Sequence, residues 1–331
     1  MQFDQLKRRE FVTLLGGAAA WPLAARAQQA GTLRRVGLLL ASAGEVATQW
    51  VDAFRQRLGD RGHVEGRDIV FEQRWTDGSL SAGSEAALDL VRRKVDVILA
   101  WTSTMATAAQ RATTTIPIVI VGVSDPVGSG FAASLARPGG NITGLSNFAR
   151  DLSGKLVEIL DEIVPGIDPL FAVGHPGNPA MRLLLGETEE AARMLGRGLR
   201  MIAVASPSEI DGAFAQMAAQ KSKGAVFLPD PLFLTERRLI AVLAQQARLP
   251  TVFARREQVD AGGLVSYGPS VHEQFRQAAD YVDRVLRGAS PASLPVGQPT
   301  RTEFVVNLKT AKAIGVAVPS SIMLRADELI E

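Results

Sequence analysis

The stretch RVGLLLASAGEVATQWVDAFRQRLGD, residues 35–60, is the part of the sequence that decides the fold. It opens with a continuous apolar run, residues 35–40, which is typical of a central strand in a parallel sheet. After a short polar turn, apolar residues recur at every fourth position from Val46 to Leu58, which predicts one buried face of a helix. A buried strand followed directly by an amphipathic helix predicts the α/β class.

The same alternation of strand and helix runs along the chain in two successive arrays. The first array has predicted strands at 35–40, 68–74, 95–100 and 117–122. The pattern restarts after about residue 146, with predicted strands at 170–174, 200–204, 225–228 and 250–253. Two such arrays predict two doubly wound lobes, each with a mostly parallel sheet, and a cleft between the lobes.

The C-terminal part of the chain adds elements that a simple pair of lobes does not need. They are a strand at 263–267, a helix at 271–286, a proline-rich crossing at 294–299 and a strand at 304–308. We therefore expect the chain to return to the first lobe and then cross back. The first lobe is predicted to comprise 32–146 plus about 262–292, and the second 147–261 plus about 300–331.

The N-terminus has the layout of an export signal. Arg8-Arg9 precedes an apolar run to about residue 20, and Ala25-Arg26-Ala27 offers a cleavage site between small residues. The arginine pair indicates the twin-arginine route, and residues 1–27 are predicted to be removed so that the mature chain starts near Gln28. The alternative is an uncleaved amphipathic helix or anchor. The export signal places the mature protein in the periplasm.

Composition excludes several classes of site. The sequence has no cysteine, which excludes disulfides, thiolate metal sites, cysteine nucleophiles and a lipid anchor on cysteine. His63, His175 and His272 are far apart and form no metal-binding motif, so neither a metal nor another cofactor is expected. The net charge of +2 resides in the signal, and the nearly neutral mature chain has no electrostatic footprint for nucleic acid.

Ligands of open α/β sheets bind beyond the carboxyl ends of the strands, which directs attention to the loops that follow the predicted strands. Serine and threonine at a helix start, as in Thr102-Ser103, can cradle a carboxylate. Asp125 or Asp230 could accept hydrogen bonds from an ammonium group, and Trp101 or Tyr267 could stack on a flat ligand. The alternative is ordinary capping, because the same residue types begin helices.

Arg74-Trp75 allows two interpretations. Trp75 could lie at the rim of the cleft, but we favour an ion pair of Arg74 with Asp77 and Trp75 packed over a lobe edge. The sequence contains neither a G-x-S-x-G nucleophile elbow nor a phosphate-binding P-loop. An enzyme is therefore disfavoured.

Several segments together resemble one family. They are SDPVGSG (124–130), LARPGGNITG (135–144), AGGLVSYG (261–268), LPV–QPT (294–300), VNLKTAKAIG (306–315), Val318-Pro and LRADE (324–328). They are similar to the ABC-transporter substrate-binding protein family of the type I periplasmic-binding fold, whose relatives include tryptophan- and tyrosine-binding lipoproteins. The resemblance covers essentially all of the mature chain and identifies the family far better than the ligand.

The resemblance implies a periplasmic binder that closes by hinge motion on a small carboxylate-bearing solute, an amino acid or an aromatic acid. It implies transfer of that solute to the membrane permease and ATPase of an ABC importer. Without a cysteine for lipid anchoring, the protein is expected to diffuse freely, as a monomer. Carried over by position, the implied ligand-binding residues are Ser42, Trp101, Thr102, Ser103, Ser124, Asp125, Asn178, Asp230 and Tyr267.

Two rival functions remain at this point. A periplasmic sensor that feeds a receptor kinase or chemoreceptor would use the same cleft, and an enzyme on the same fold would need a nucleophile and base that the sequence lacks. Hinge closure requires flexible crossings between the lobes. We expect them near residues 144–148, 259–263 and 294–300.

Overall fold

The computed structural model describes residues 33–147, 152–299 and 302–331, so the predicted signal at 1–27 lies outside the described residues. The strands are β1 (Arg34–Leu40), β2 (Ile69–Trp75), β3 (Val97–Trp101), β4 (Ile118–Val123), β5 (Ile142–Ser146), β6 (Leu170–Gly174), β7 (Leu199–Ala203), β8 (Ala225–Phe227), β9 (Thr251–Phe253), β10 (Val265–Pro269), β11 (Thr302–Asn307) and β12 (Glu328–Ile330). The helices are α1 (Glu45–Asp60), α2 (Leu80–Arg92), α3 (Ser103–Ala112), α4 (Leu152–Ile163), α5 (Met181–Met194), α6 (Ile210–Ala219), α7 (Pro231–Thr235), α8 (Arg237–Gln246), α9 (Arg256–Asp260), α10 (Val271–Leu286), α11 (Leu308–Ile314) and α12 (Ser320–Arg325).

The first lobe is built on a parallel five-stranded sheet in the order β2-β1-β3-β4-β5. Its central strands β1, β3 and β4 are apolar and buried because helices cover both faces of the sheet. The order reverses between β1 and β3, which creates the switch point at which such sheets bind ligands. Trp50 and Phe54 of α1 pack into the same core as Phe275 of α10.

The second lobe contains a seven-stranded sheet in the order β12-β11-β10-β9-β8-β6-β7. Its neighbouring strands are parallel, except that β10 and β11 run antiparallel. One apolar cluster includes Leu156 and Leu160 of α4, and another is centred on Phe227, Phe233 and Phe253. Two mostly parallel sheets flanked by helices confirm the predicted α/β class.

The chain crosses between the lobes three times. The crossings lie between β5 and α4, between β10 and α10, and between residue 297 and β11. Gly297 still belongs to the first lobe, since its backbone N–H donates to Gly144 (2.8 Å) and its carbonyl accepts from Ser146 (2.9 Å). The third crossing therefore lies between Gly297 and Thr302.

The assignment of 262–292 to the first lobe is wrong in its first part. Strand β10 pairs with β9 and β11 in the second sheet, and only α10 packs on the first lobe, against α1 and β4. The second crossing consequently lies at Ser270, and the expected hinge at 259–263 falls inside the second lobe instead. The hydrophobic pattern of a strand indicates that it is buried, but it does not indicate which sheet the strand joins.

No helix of the described residues is long and apolar enough to cross a bilayer. Likewise, the part of the chain that the structure describes has no group of three or more His, Asp or Glu side chains placed to hold a metal ion.

Candidate functional site

A small cavity of about 40 Å³ lies where the carboxyl ends of the strands of the two lobes face each other. It gathers six of the nine expected site residues, Trp101, Thr102, Ser103, Ser124, Asn178 and Asp230. Its other lining residues are Thr104, Gly122, Asn147, Pro229, Pro231, Leu234 and Arg255. The loops selected by the topological rule thus meet at one cavity, which further residues also line.

Trp101 forms part of the floor of this cavity. It is 2 % exposed and packs edge-to-face against Trp50, with ring centroids 5.2 Å apart, and against Phe275 at 6.2 Å. Its indole Nε1 is buried without a hydrogen-bond partner. Both aromatic neighbours belong to the core of the first lobe, and the indole N–H of Trp101 is a buried donor that is available to a ligand.

The start of helix α3 supplies further donors. Thr102 caps the helix, and its hydroxyl accepts a hydrogen bond from the backbone N–H of Met105 at 3.4 Å. Its backbone has a φ of +89°, a region that a β-branched residue rarely adopts and that is found most often at functional sites. Backbone N–H groups in a first helical turn lack helical partners and attract anions.

Asn147 lines the cavity and directly follows β5, where the first crossing between the lobes begins. Its side-chain Nδ2 donates to the carbonyl of Gly122 (3.0 Å), and its Oδ1 accepts from Gln274 Nε2 at 3.1 Å. Gly122 has a φ of +71°, which suits glycine, and its Cα lies beside the Trp101 ring. Because Gln274 lies on the first turns of α10, this buried network joins two of the three crossings.

Asp230 is engaged on both carboxylate oxygens. Oδ1 accepts from the backbone N–H of Leu232 (2.8 Å) and so caps α7, while Oδ2 accepts from Asn178 Nδ2 (2.9 Å) and lies 3.4 Å from His175 Nδ1. Its side chain is 6 % exposed. The hydrogen bond with Asp230 raises the pKa of His175 above its usual value of 6.5. Asp230 thus organises the second lobe's side of the cavity.

Arg255 is the residue of greatest chemical interest that sequence reasoning missed. It directly follows the Ala254 that ends the β9 region, and its Nη1 is buried without a hydrogen-bond partner although the residue as a whole is partly exposed. Burial lowers the pKa of this guanidinium, and Glu257 acts on it only through longer-range attraction. The rule on strand ends could have found it, since it lies two residues beyond β9.

Three expected residues do not line the cavity. Ser42 is half-buried in the loop after β1. Asp125 Oδ1 accepts from the backbone N–H of Gly128 (2.8 Å), so this carboxylate closes a local turn. Tyr267 packs edge-to-face against Phe304 at 5.6 Å, within the second lobe.

Arg74 forms an ion pair and Trp75 packs against its lobe, as we favoured, but the partner of Arg74 differs from the one expected. Arg74 Nη2 and Nε contact Asp89 Oδ2 at 2.5 and 2.8 Å. Asp77 instead accepts from the backbone N–H of Ser79, so the expected Arg74–Asp77 pair is wrong because a turn just before α2 engages that carboxylate. Trp75 packs against the core of the first lobe.

The two lobes touch directly over the cavity. Leu234 of α7, in the second lobe, is 5 % exposed and packs into the apolar cluster of the first lobe. Pro231 of the same helix lies close to Gly78, in the loop after β2. Because Pro231 and Leu234 also line the cavity, this contact between the lobes lies at its wall.

A second cavity, of about 630 Å³, lies beside the crossings and shares no lining residue with the first. Ser146, Ser270 and Pro299, one residue from each crossing region, line it. It is larger than the cavity between the strand ends, and it includes the start of α10, but among the described residues that line it none has a buried donor without a partner. The smaller cavity is therefore the candidate ligand site.

Comparison with known proteins matches residues 38–330 to the family of ABC transporter substrate binding proteins. A tyrosine-binding protein of Clostridioides difficile is 24% identical over 262 residues, which cover 79% of this chain and 75% of that protein. A conserved domain protein from Vibrio cholerae superposes with a TM-score of 0.84 at 26% identity, covering 90% of this chain and 100% of that one. An ABC domain from Streptococcus pneumonia in complex with L-Trp gives a TM-score of 0.83 at 21% identity, with the same coverage.

These matches confirm the expected family and the type I periplasmic-binding fold. The family consists of solute-binding proteins, which catalyse no reaction. The prediction that the chain is not an enzyme is thereby confirmed.

Proposed function

Since the chain belongs to the ABC transporter substrate binding protein family, we propose that it is the periplasmic binding component of an ABC importer. The proposed ligand is a small carboxylate-bearing solute, an amino acid or an aromatic acid. Two of the relatives named above support this class: the protein from Clostridioides difficile is named for tyrosine, and the domain from Streptococcus pneumonia holds L-Trp.

The observation that carries the proposal is the set of unpaired donors in the cavity. Trp101 Nε1 from the first lobe and Arg255 Nη1 from the second are both buried without a partner. The N-terminal turn of α3 lies beside them. A buried donor without an acceptor costs about 1–3 kcal/mol, which a ligand carboxylate would recover by accepting from these groups.

Binding is proposed to proceed by hinge closure. The chain passes between the lobes from β5 to α4, at Ser270, and from Gly297 to β11. A ligand that contacts Trp101 and Arg255 at once would bind only the arrangement in which the lobes meet, and it would shift the population towards that arrangement.

The proposal also covers how the protein is exported and which proteins receive it. Residues 1–27 would direct the chain through the twin-arginine route and be cleaved near Gln28, and the permease and ATPase of the importer would receive the loaded protein. Without a cysteine, the protein would remain unanchored in the periplasm, as a monomer. Mass spectrometry of periplasmic protein tests the cleavage, and an intact Met1 would contradict it.

Thermal unfolding of the protein recovered from the periplasm tests the ligand class. The library should contain amino acids, aromatic acids, sugars and purines. A ligand at 100 times its Kd adds about 2.7 kcal/mol of stability, which raises the unfolding midpoint by several degrees. We expect this shift only with carboxylates. A shift with sugars or purines instead would refute the proposed class.

A further inference from the structure

Hydrogen-bond donors and acceptors are unequally available in the cavity between the lobes. The free groups are donors: the Arg255 guanidinium, the Trp101 indole N–H and the first turn of α3. The carbonyl of Gly122 already accepts from Asn147, and the carbonyl of Pro229 accepts from Asn178 Nδ2 at 3.1 Å. The site is therefore organised to receive an acceptor-rich, anionic group.

Asp230 is the one carboxylate among the described residues that line this cavity. Its Oδ1 caps α7 through Leu232, and its Oδ2 is shared by Asn178 and His175. Both oxygens therefore already have partners, and an ammonium group of a ligand would have to share the carboxylate with them. The lining hydroxyls, such as that of Ser124, can donate as readily as they accept, and the amides of Asn147 and Asn178 are already hydrogen-bonded.

The position of an α-ammonium group follows from the covalent structure of an amino acid. The nitrogen is attached to the carbon next to the carboxylate, so it must lie close to whatever holds that carboxylate. If Arg255 and the start of α3 hold the carboxylate, the ammonium group would lie in the positive field of a guanidinium and a helix N-terminus. Like charges in a desolvated site repel strongly.

On this basis, and resting on the proposed function, we propose that the ligand is an organic acid without an α-ammonium group. Its carboxylate pairs with Arg255 and accepts from Trp101 Nε1. A neighbouring cavity shares Ser124, Asn147 and Pro229 with the first and is lined by the apolar side chains of α4 and α5. These side chains are Leu152, Leu183 and Leu184, with Glu187 beside them. The body of the acid would extend in that direction.

Three matched sets of compounds test this proposal without assuming the size of the ligand. Each set shares one carbon body: propanoate, L-alanine and ethylamine; 4-methylpentanoate, L-leucine and isopentylamine; 3-phenylpropanoate, L-phenylalanine and 2-phenylethylamine. Dissociation constants are measured by isothermal titration calorimetry on the purified protein. We expect at least one acid to bind at least tenfold more tightly than its amino acid, and the amines not to bind.

Two arginine variants provide the matched control. Arg255→Gln should weaken binding of the acid at least tenfold. Arg256→Gln should leave it unchanged, because the Arg256 guanidinium pairs with Asp260 and Glu328 outside the cavity. Unfolding midpoints of both variants establish that they fold, and Arg255→Lys tests whether charge alone restores binding.

The outcomes separate this inference from the proposed function. An amino acid that binds as tightly as its deaminated acid, or more tightly, would overturn the inference, while loss of that binding in Arg255→Gln would still support a carboxylate binder. If no acid or amino acid of the three sets binds, both are overturned. Equal weakening by Arg255→Gln and Arg256→Gln would remove Arg255 from the site and overturn the inference.

Discussion

Replacing Leu234 by alanine tests the proposed closure most directly. Leu234 belongs to α7 of the second lobe, yet its buried side chain packs into the apolar cluster of the first lobe. In the proposed mechanism this contact forms when the lobes meet and is lost when they part. Leu234→Ala should therefore disfavour the arrangement that binds ligand, while each lobe keeps every side chain that it contributes to its own core.

The magnitude follows from the carbon atoms removed. Leucine to alanine deletes three carbons, and at about 0.8 kcal/mol for each buried CH₂ the loss is about 2.4 kcal/mol. Since about 1.4 kcal/mol corresponds to a factor of ten in Kd, the variant should bind its ligand roughly 50-fold more weakly. The unfolding midpoint of the ligand-free protein should change little, because the contact joins lobes that have separate cores.

Leu249→Ala is the matched control. Leu249 is also 5 % exposed, but it packs within a cluster of the second lobe only. This variant should lose about 2–5 kcal/mol of folding stability and keep its Kd. Calorimetric titration gives Kd, and differential scanning calorimetry gives the midpoint. The reasoning is refuted if Leu234→Ala keeps the wild-type Kd, or if both variants lose stability alike and neither loses affinity.

Two further predictions concern the carboxylate of Asp230. Asp230→Ala uncaps α7 and releases Asn178, so ligand should bind at least tenfold more weakly, about 1.4 kcal/mol, and an unchanged Kd by titration would remove Asp230 from the site. The pKa of His175 is raised, so its pairing with Asp230 stabilises the folded state fully below pH 6.5. This stabilisation is lost as the pH rises through the raised pKa, because the imidazole then loses its charge. The unfolding midpoint of wild type should exceed that of His175→Asn most at pH 5.5 and least at pH 8.5, and midpoint curves that stay parallel over this range would exclude the pairing.

Periodicity predicted the regular elements well because burial determines them. Strand β6 and helix α10 begin and end where the sequence predicts, at Leu170–Gly174 and Val271–Leu286. Both have long apolar runs or stripes with clear ends, such as the cap at Ser270. Short elements such as α7 and α9, each five residues long, contain too few turns for a period to be visible.

Lobe membership and partners could not be predicted from the same patterns. Strand β10 has the apolar run of any buried strand, and only its pairing with β9 and β11 places it in the second sheet. Asp125 and Asp230 both follow strands, yet one closes a turn on Gly128 and the other lines the cavity. Such choices depend on three-dimensional neighbours that the local sequence does not specify.

Arg255 illustrates the opposite case, in which a signal was present and passed over. It lies just beyond the strand that ends the second array, where the topological rule places ligands, but an arginine pair at the start of a short helix resembles a pair of surface residues. Its importance rests on one property, the burial of Nη1 without a partner, and that property requires coordinates.

The proposed affinity and the proposed closure have the same physical origin. Trp101 and Arg255 bring unpaired donors from opposite lobes into one small cavity, and two such groups disfavour the empty, closed arrangement by about 1–3 kcal/mol each. The apolar contact of Leu234 favours that arrangement by a similar amount. The two effects nearly cancel, so a ligand carboxylate that satisfies the donors would shift the balance towards closure. A ligand that satisfies only one lobe's donor would bind without closing the protein.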